Sequence, residues 1–183
     1  MRNPASPPAV REAFSQKFSG YERETMEEKT NVMRTLERLK LPYRHYAFDT
    51  GGAAPSGTEV AALLGKDPAQ VFKTLVTVGK SGKYYVFMIP VAEELDLRKA
   101  ARCAGEKSIE MIKTKDLLPL TGYVHGGCSP VGMKKPFPTW IDETALLTDA
   151  FFCSAGRLGA QIGIDPETLA GYVGAQFADL TEE

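Results

Sequence analysis

Residues 71–90 read VFKTLVTVGKSGKYYVFMIP, and this stretch decides the fold. Two runs rich in β-branched and aromatic residues flank the polar sequence GKSGK, which is the pattern of a β-hairpin. Further short runs with strand composition occur at YRHYAF, PTWID, AFFCS, AQIGI and AQFADL. Helical patterns lie between these runs without the regular βαβ alternation of a doubly wound sheet. The sequence therefore predicts an α+β domain with a curved, mainly antiparallel sheet.

Local start and stop signals mark the helices that flank this sheet. Ser56 stands three residues before Glu59, which is a capping box ahead of the helical run EVAALLG. Gly105 follows LDLRKAARCA and is placed to end that helix as a C-cap. Asp165 precedes a proline and predicts the start of the last helix. Two more helices are expected over NVMRTLERLK and TKDLLPL.

The composition limits the classes of protein to which the chain can belong. With 183 residues, 43% hydrophobic and 25% charged, the chain fits one globular domain. A net charge of −1 argues against nucleic-acid binding by bulk charge, although it allows a local basic patch. No apolar run approaches the roughly 18–20 residues of a membrane span, so we expect no membrane association.

The cysteines and the amino terminus bear on location and domain limits. Three widely spaced cysteines form neither a disulfide framework nor a CxxC clamp. The first residues lack the pattern of a secretory signal, so we expect a reducing, cytoplasmic location. They contain three prolines among the first eight positions and then become polar. We therefore expect an amino-terminal extension over residues 1–29 and the domain proper over 30–183.

A glycine-rich loop is the first candidate for a functional element. Residues 121–135 read TGYVHGGCSPVGMKK, which matches neither GxGxxG nor GxxxxGK[ST]. Gly126 and Gly127 suit a tight turn, and the same geometry can expose backbone N–H groups to an oxyanion or a phosphate. Lys134 and Lys135 beyond the loop are either plain surface charge or contacts to a phosphate backbone.

Cys128 in this loop raises the possibility of a thiol nucleophile. Such a nucleophile needs a base within hydrogen-bond reach and a third group that orients the base. His125 and His45 are the two histidines of the sequence, and no orienting group can be named. Since a buried cysteine more often packs as a small hydrophobe, that interpretation stays open beside the nucleophile.

Lys73 is the unusual residue of the first hairpin strand. Alternation places Lys73 on the same strand face as Val71 and Leu75. A lysine among apolar neighbours either lines a pocket and meets an anion, or reaches solvent as an edge-strand lysine. Neither an acid–base carboxylate pair nor a cluster with metal spacing is evident in the sequence. We therefore predict no cofactor and expect the chemistry to depend on backbone dipoles, one lysine and the substrate's own groups.

Four segments together resemble the bacterial YbaK/EbsC family. They are LKLPYRHYAFDT, EVAALLGKDPAQVFKTLV, TGYVHGGCSPVGMKKPFPTWID and SAGRLGAQIGIDPETLA, and the match runs from about Thr30 to the carboxyl terminus. This family belongs to the superfamily that includes the editing insertion domain of bacterial prolyl-tRNA synthetases. The resemblance implies a barrel-like editing-domain fold with a mixed sheet. It also implies a free-standing deacylase that clears mischarged tRNA, typically Cys-tRNA(Pro), with Cys-tRNA(Cys) as a further substrate.

The resemblance assigns the catalytic positions to Lys73, Gly126 and Gly127. The family mechanism is substrate-assisted, because the cysteinyl thiol attacks its own ester carbonyl and releases the tRNA. Lys73 would hold the acyl-adenosine end, and the Gly126 region would donate N–H groups to the oxyanion. We expect Lys73 to point into the main pocket beside this loop. Cys128 would only pack. Substrate contacts are implied for Phe48, Thr74, Ser129, Ser154, Gly156 and Gln161.

Two departures from the family pattern bear on the substrate. Phe48 stands where the family has a pocket tyrosine, and Gln161 where it has an aspartate. A deacylase for alanine or serine that uses water is therefore one alternative, and a non-catalytic module that binds an aminoacyl or nucleotide end is another. The implied partners are the acceptor end of mischarged tRNA(Pro) and prolyl-tRNA synthetase.

Overall fold

The computed structural model describes residues 29–183, so nearly all of the predicted extension over residues 1–29 lies outside the described part. The described chain contains five α-helices: α1 Asn31–Arg38, α2 Gly57–Leu64, α3 Leu97–Ala104, α4 Thr114–Thr121 and α5 Pro166–Val173. Its eight strands are β1 Arg44–Ala47, β2 Phe72–Gly79, β3 Tyr84–Pro90, β4 Ile109–Met111, β5 Thr139–Asp142, β6 Phe151–Ser154, β7 Ala160–Ile164 and β8 Gln176–Ala178. Two 3₁₀ turns lie at Pro68–Gln70 and Glu143–Leu147.

These strands form two sheets. The larger sheet has the order β4-β2-β3-β5-β8, and the smaller has the order β1-β7-β6. The hairpin of β2 and β3 is antiparallel as predicted, whereas β5 pairs in parallel with both β3 and β8. The α+β class with a mixed sheet is confirmed. The described strands do not close into a barrel, because the two sheets are linked only by one isolated parallel bridge between Val71 and Phe152.

The predicted helix ends agree with the structure. Ser56 and Glu59 form the full capping box of α2, since each side chain pairs with the other's backbone N–H. Gly105 ends α3 in the left-handed conformation, and the Asp165 carboxylate accepts a hydrogen bond from the Thr168 N–H at the start of α5. The short strand β4 had no prediction, because three residues with an exposed end carry too little pattern.

Alternation along β2 separates two packing faces. Phe72 lies in the main core, which fills the space between the two sheets and packs against α1 and α5. On the opposite face of the larger sheet, Leu75 packs with Phe87 and Ile89 of β3 against α3 residues such as Ala100. Lys73 belongs to this second face, because residues two apart on a strand point to the same side.

Candidate active site

The Lys73 side chain is half-buried beside a carboxylate. It is 29% exposed, and its Nζ lies 3.8 Å from Oε1 of Glu94, which is 79% exposed. In the hairpin register Lys73 stands opposite Ile89, a fully buried residue. The predicted sharing of a face with apolar neighbours therefore agrees with the observed packing. A lysine in this position keeps its stem in apolar surroundings and its ammonium at the edge.

The bridge between the sheets places Lys73 on the same side as two other predicted site residues. Val71 pairs in parallel with Phe152, and Lys73 and Ser154 each follow two residues later. Side chains two residues apart on a strand point to the same side, and paired residues on neighbouring strands also share a side. Lys73 and Ser154 therefore lie on the same side as the Val71–Phe152 pair. Ser154 stands directly opposite Gln161 in the antiparallel pair of β6 and β7. We name this side, which carries Lys73, Ser154 and Gln161, the outer face.

Phe48 extends the outer face toward the loops. Tyr46 stands opposite Gln161 in the pair of β1 and β7, and Phe48 follows two residues later. The Phe48 N–H donates to the Gly159 carbonyl over 2.9 Å, so the ladder continues one step beyond β1. Gln161 is buried, and within residues 29–183 its Oε1 has no hydrogen-bond partner. An unpaired buried acceptor lowers the stability of the folded protein, so this atom is a candidate to accept a hydrogen bond from a ligand.

The glycine loop packs tightly against the turn between β6 and β7. Gly126 has φ +83°, and a Cβ there would lie 2.7 Å from Cδ2 of Leu158 and 3.4 Å from Cβ of Ala54. A Cβ at Gly127 would lie 3.1 Å from Cα of Arg157. Gly126 is required by its left-handed backbone, and Gly127 by this close approach. The loop is therefore held beside the turn by backbone contact.

The hydrogen bonds of this loop limit which groups it can offer. The Gly127 N–H donates to the Val124 carbonyl over 3.0 Å, so the turn itself uses that donor. Among residues 29–183 we find no acceptor for the N–H groups of Gly126, Cys128 and Ser129. The Gly127–Ser129 segment is buried. Gly126 is exposed, so the buried unused donors are those of Cys128 and Ser129, and such donors are the feature that an oxyanion site requires.

A cavity of about 560 Å³ adjoins the loop. It is lined by Thr50, Ala53, Ala54, Pro55, Glu59, Ala62 and Leu63. Ala54 connects this cavity to Gly126, but Lys73 does not line it, contrary to the expectation that Lys73 points into the main pocket. The reason is the position of α2, which packs on Val71 and Phe152 through Ala61 and turns Glu59 and Leu63 toward the cavity on its other side.

Cys128 is a packing residue in this structure. Its side chain is buried with Val76, Val86 and Leu117, and burial raises the pKa of the Cys128 thiol to about 12. A thiol with this pKa is protonated at neutral pH, and the thiolate is the nucleophilic form. His125 is exposed at the surface of the same loop. The geometry therefore favours the packing interpretation of Cys128.

Three further predicted contacts lie in different environments. Thr74 lies on the face opposite Lys73, and its buried Oγ1 has no partner within the described residues. Ser129 Oγ accepts a hydrogen bond from the Val131 N–H over 3.2 Å, so it supports its own turn. Gly156 donates its N–H to Ser154 Oγ over 3.1 Å. The structure thus brings Gly156 to Ser154 but separates Thr74 from the outer face.

Two parts of the candidate site were not predicted from the sequence. Glu94 approaches Lys73 across a gap of 21 residues in sequence, and the Arg157–Gly159 turn supports the glycine loop. The sequence of this turn carried a signal, since its glycines are typical of a tight connection.

No helix over residues 29–183 has the length and apolar character needed to cross a bilayer.

Comparison with known proteins places this geometry in a family. The family model of the aminoacyl-tRNA editing domain matches residues 52–172. A protein of Enterococcus faecalis (strain ATCC 700802 / V583), EbsC, carries the name of a Cys-tRNA(Pro)/Cys-tRNA(Cys) deacylase. It is 45% identical over 155 residues, which are 85% of this chain and 94% of that protein.

Two solved structures share the fold. One is described as a trans-editing enzyme for prolyl-tRNA synthetase, with 27% identity, a TM-score of 0.72 and coverage of 98% of this chain and 100% of that chain. The other is a hypothetical protein, APE2540, with 25% identity, a TM-score of 0.76 and coverage of 84% and 100%. On this evidence, the chain belongs to the aminoacyl-tRNA editing domain family.

Proposed function

We propose that this protein is an aminoacyl-tRNA deacylase that acts in trans on mischarged tRNA, with Cys-tRNA(Pro) as the main substrate and Cys-tRNA(Cys) as a second. The observation that carries the proposal is the 45% identity, over 85% of this chain and 94% of the other, to a protein named for this activity. The outer face supports it, because the Lys73 ammonium and the unpaired buried amide oxygen of Gln161 lie on the same side of the strands that meet at the Val71–Phe152 bridge.

The reaction needs no nucleophile from the enzyme. The cysteinyl thiol forms a C–S bond with its own ester carbonyl carbon, and the ester C–O bond to the ribose breaks. The thiol proton passes to the leaving ribose oxygen, which gives free tRNA and a four-membered thiolactone that water opens to cysteine. The high pKa of the Cys128 thiol is consistent with this scheme, since the enzyme's own buried thiol stays protonated.

Lys73 holds the acyl-adenosine end in this proposal. Its ammonium is a three-donor cation at the edge of the outer face, half-buried and within a strand that fixes its backbone. A hydrogen bond from a charged donor to the ester or ribose oxygens contributes about 1.5–3 kcal/mol when partly desolvated. This binding orients the ester without taking part in bond formation.

The glycine loop supplies the donors for the developing oxyanion. Gly126 remains assigned to this role, together with its neighbours Cys128 and Ser129, whose backbone N–H groups have no acceptor within residues 29–183. Gly127 acts by its lack of a side chain, because its N–H is engaged by Val124. Removal of one oxyanion donor in other enzymes lowers kcat by roughly 10²–10³.

Neutral side chains at positions 48 and 161 suit a cysteinyl substrate. Phe48 offers no hydroxyl, and Gln161 offers an amide where the family has an aspartate. The buried Gln161 Oε1 can accept the substrate's thiol or amino proton, and its neutral amide does not repel a forming thiolate. Ser154 lies opposite Gln161 and is available to the same end of the substrate.

The same proposal covers the partners, the location and the domain boundaries of the enzyme. The acceptor end of mischarged tRNA(Pro) is the substrate, and prolyl-tRNA synthetase is the proposed partner that supplies tRNA selectivity. The protein works where translation takes place, in the cytoplasm. Residues 30–183 form the editing domain, and residues 1–29 are an appended segment.

Release of free cysteine from purified Cys-tRNA(Pro) tests the proposal. The wild-type protein should release cysteine from Cys-tRNA(Pro) and Cys-tRNA(Cys) while leaving Pro-tRNA(Pro) charged. Equal turnover of Pro-tRNA(Pro) would contradict the editing role. Binding of Cys-tRNA(Pro) without any release would show a non-catalytic module instead.

A further inference from the structure

Glu94 presents a carboxylate that the proposed reaction has not used. Its side chain is 79% exposed, and the 3.8 Å from its Oε1 to Lys73 Nζ exceeds the roughly 2.7–2.9 Å of a charge-assisted hydrogen bond. No hydrogen bond to the Glu94 carboxylate is formed by any residue of 29–183. The carboxylate thus stands beside the lysine with its lone pairs open to a second cation.

The backbone around Glu94 is fixed although its side chain is free. The Glu94 carbonyl accepts a hydrogen bond from the Glu182 N–H over 3.1 Å. The next residue, Leu95, is buried and forms an antiparallel bridge with Thr181. The anchored backbone keeps the Glu94 side chain beside Lys73, so that ligand binding has to order this side chain alone.

The neighbouring carboxylates on either side of Glu94 differ from it. Asp96 is used as the N-cap of α3, where it accepts hydrogen bonds from the N–H groups of Arg98 and Lys99. Glu93 is exposed and forms no ion pair with the described residues. Glu94 is therefore distinguished from these two by its position next to Lys73.

The chemistry of an aminoacyl ester supplies the second cation. Its α-amino group is attached two bonds from the ester carbonyl carbon, and in its protonated form it carries a positive charge. If Lys73 holds the acyl end, this ammonium comes close to another cation, and like charges repel at short range. A carboxylate beside the lysine removes this repulsion and binds the ammonium directly.

We propose that Glu94 binds the protonated α-amino group of the aminoacyl ester. Lys73 then binds the acyl-adenosine end and Glu94 the amino end of the same substrate. This inference rests on the proposed function, because it takes an aminoacyl-tRNA as the ligand. Glu94 thereby becomes a specificity determinant, since it selects a free amino acid ester over an ester without an α-ammonium.

The test compares Cys-tRNA(Pro) with 3-mercaptopropionyl-tRNA(Pro), which keeps the thiol and the ester but lacks the amino group. Glu94→Gln is the variant, and Glu93→Gln is the matched control one residue away. The wild-type protein and Glu93→Gln should prefer the cysteinyl ester in kcat/KM by about 10-fold or more. Glu94→Gln should lose most of this preference through a slower reaction of the cysteinyl ester alone.

Each other outcome has a defined meaning. An unchanged preference in Glu94→Gln overturns the inference. An equal loss on both esters also overturns it, because Glu94 would then act on Lys73 rather than on the substrate. If the wild-type protein releases neither cysteine nor 3-mercaptopropionate from the two esters, the proposed function itself fails, and this inference fails with it. Thermal unfolding of both variants checks that the exposed substitutions leave the fold intact.

Discussion

At the scale of single residues, burial argues against a nucleophilic role for the loop cysteine. Burial in the cluster with Val76 and Val86 raises the pKa of Cys128 to about 12, and the pKa of Cys153 rises to about 12 for the same reason. Neither thiol ionises near neutral pH. The sequence alone left the nucleophile open, because burial of one side chain depends on elements far apart in the chain.

Cys128→Ala should retain most of the deacylase activity. A substrate-assisted reaction uses the thiol of the substrate, so loss of the enzyme thiol costs only packing, about 1 kcal/mol in the free energy of unfolding. The measurement is kcat/KM for Cys-tRNA(Pro) between pH 6 and 9, where the variant and the wild type should give parallel profiles. A decrease of kcat/KM by orders of magnitude in a folded variant would support Cys128 as the nucleophile.

Lys73→Gln should lower kcat/KM for Cys-tRNA(Pro) by about 10- to 100-fold, since a charged donor to the acyl-adenosine end contributes about 1.5–3 kcal/mol. The unfolding temperature should change little, because the pair with exposed Glu94 is weak. Lys80→Gln, in the exposed hairpin turn, is the matched control and should behave as the wild type. Equal activity of the two variants would show that Lys73 does not bind the substrate.

At the scale of elements, the parts with local signals were predictable and the long-range pairings were not. The β2–β3 hairpin and the capped ends of α2, α3 and α5 follow from neighbouring residues, and the structure contains them. The parallel pairing of β5 with β3 joins segments about fifty residues apart, and no local pattern encodes it. For the same reason the split into two sheets and the approach of Glu94 to Lys73 were missed.

The glycine loop offers a comparison between backbone conformation and close approach. Gly126 and Gly82 have nearly equal φ values of +83° and +86°, but only Gly126 has a neighbour where a Cβ would lie. An alanine in the left-handed region costs about 1–2 kcal/mol at either position. Gly126→Ala must also displace the end of the Leu158 side chain, which packs the loop against the turn beside the site.

Both Gly126→Ala and Gly82→Ala should therefore lower the unfolding temperature, whereas Gly126→Ala alone should lower kcat for Cys-tRNA(Pro), by 10-fold or more if an oxyanion donor shifts. Gly82→Ala lies in the hairpin turn and should keep full activity. Thermal melts and single-turnover rates on the two variants separate the effects. A fully active Gly126→Ala would show that the loop only turns the chain.

At the scale of the whole molecule, residues 30–183 should suffice for catalysis. The family model matches residues 52–172, and the described core lies within 30–183. Removal of residues 1–29 breaks the ion pair of Lys29 with Glu37, which is partly exposed and contributes at most about 1 kcal/mol. Activity on Cys-tRNA(Pro) should persist in the shortened protein. Loss of activity or of solubility would assign the first residues to the fold or to tRNA binding.

At the same scale, the proposed mechanism depends on the substrate carrying its own nucleophile. Binding alone discriminates weakly among small side chains, by about 1–3 kcal/mol per methylene, so the chemistry of the side chain should decide the rate. The direct measurement is the rate of release from Cys-tRNA(Pro), Ala-tRNA(Pro) and Ser-tRNA(Pro) at equal enzyme concentration. The substrate-assisted mechanism predicts that cysteine is released faster than alanine and serine. Release of alanine at an equal or higher rate would show that water is the nucleophile and would contradict it.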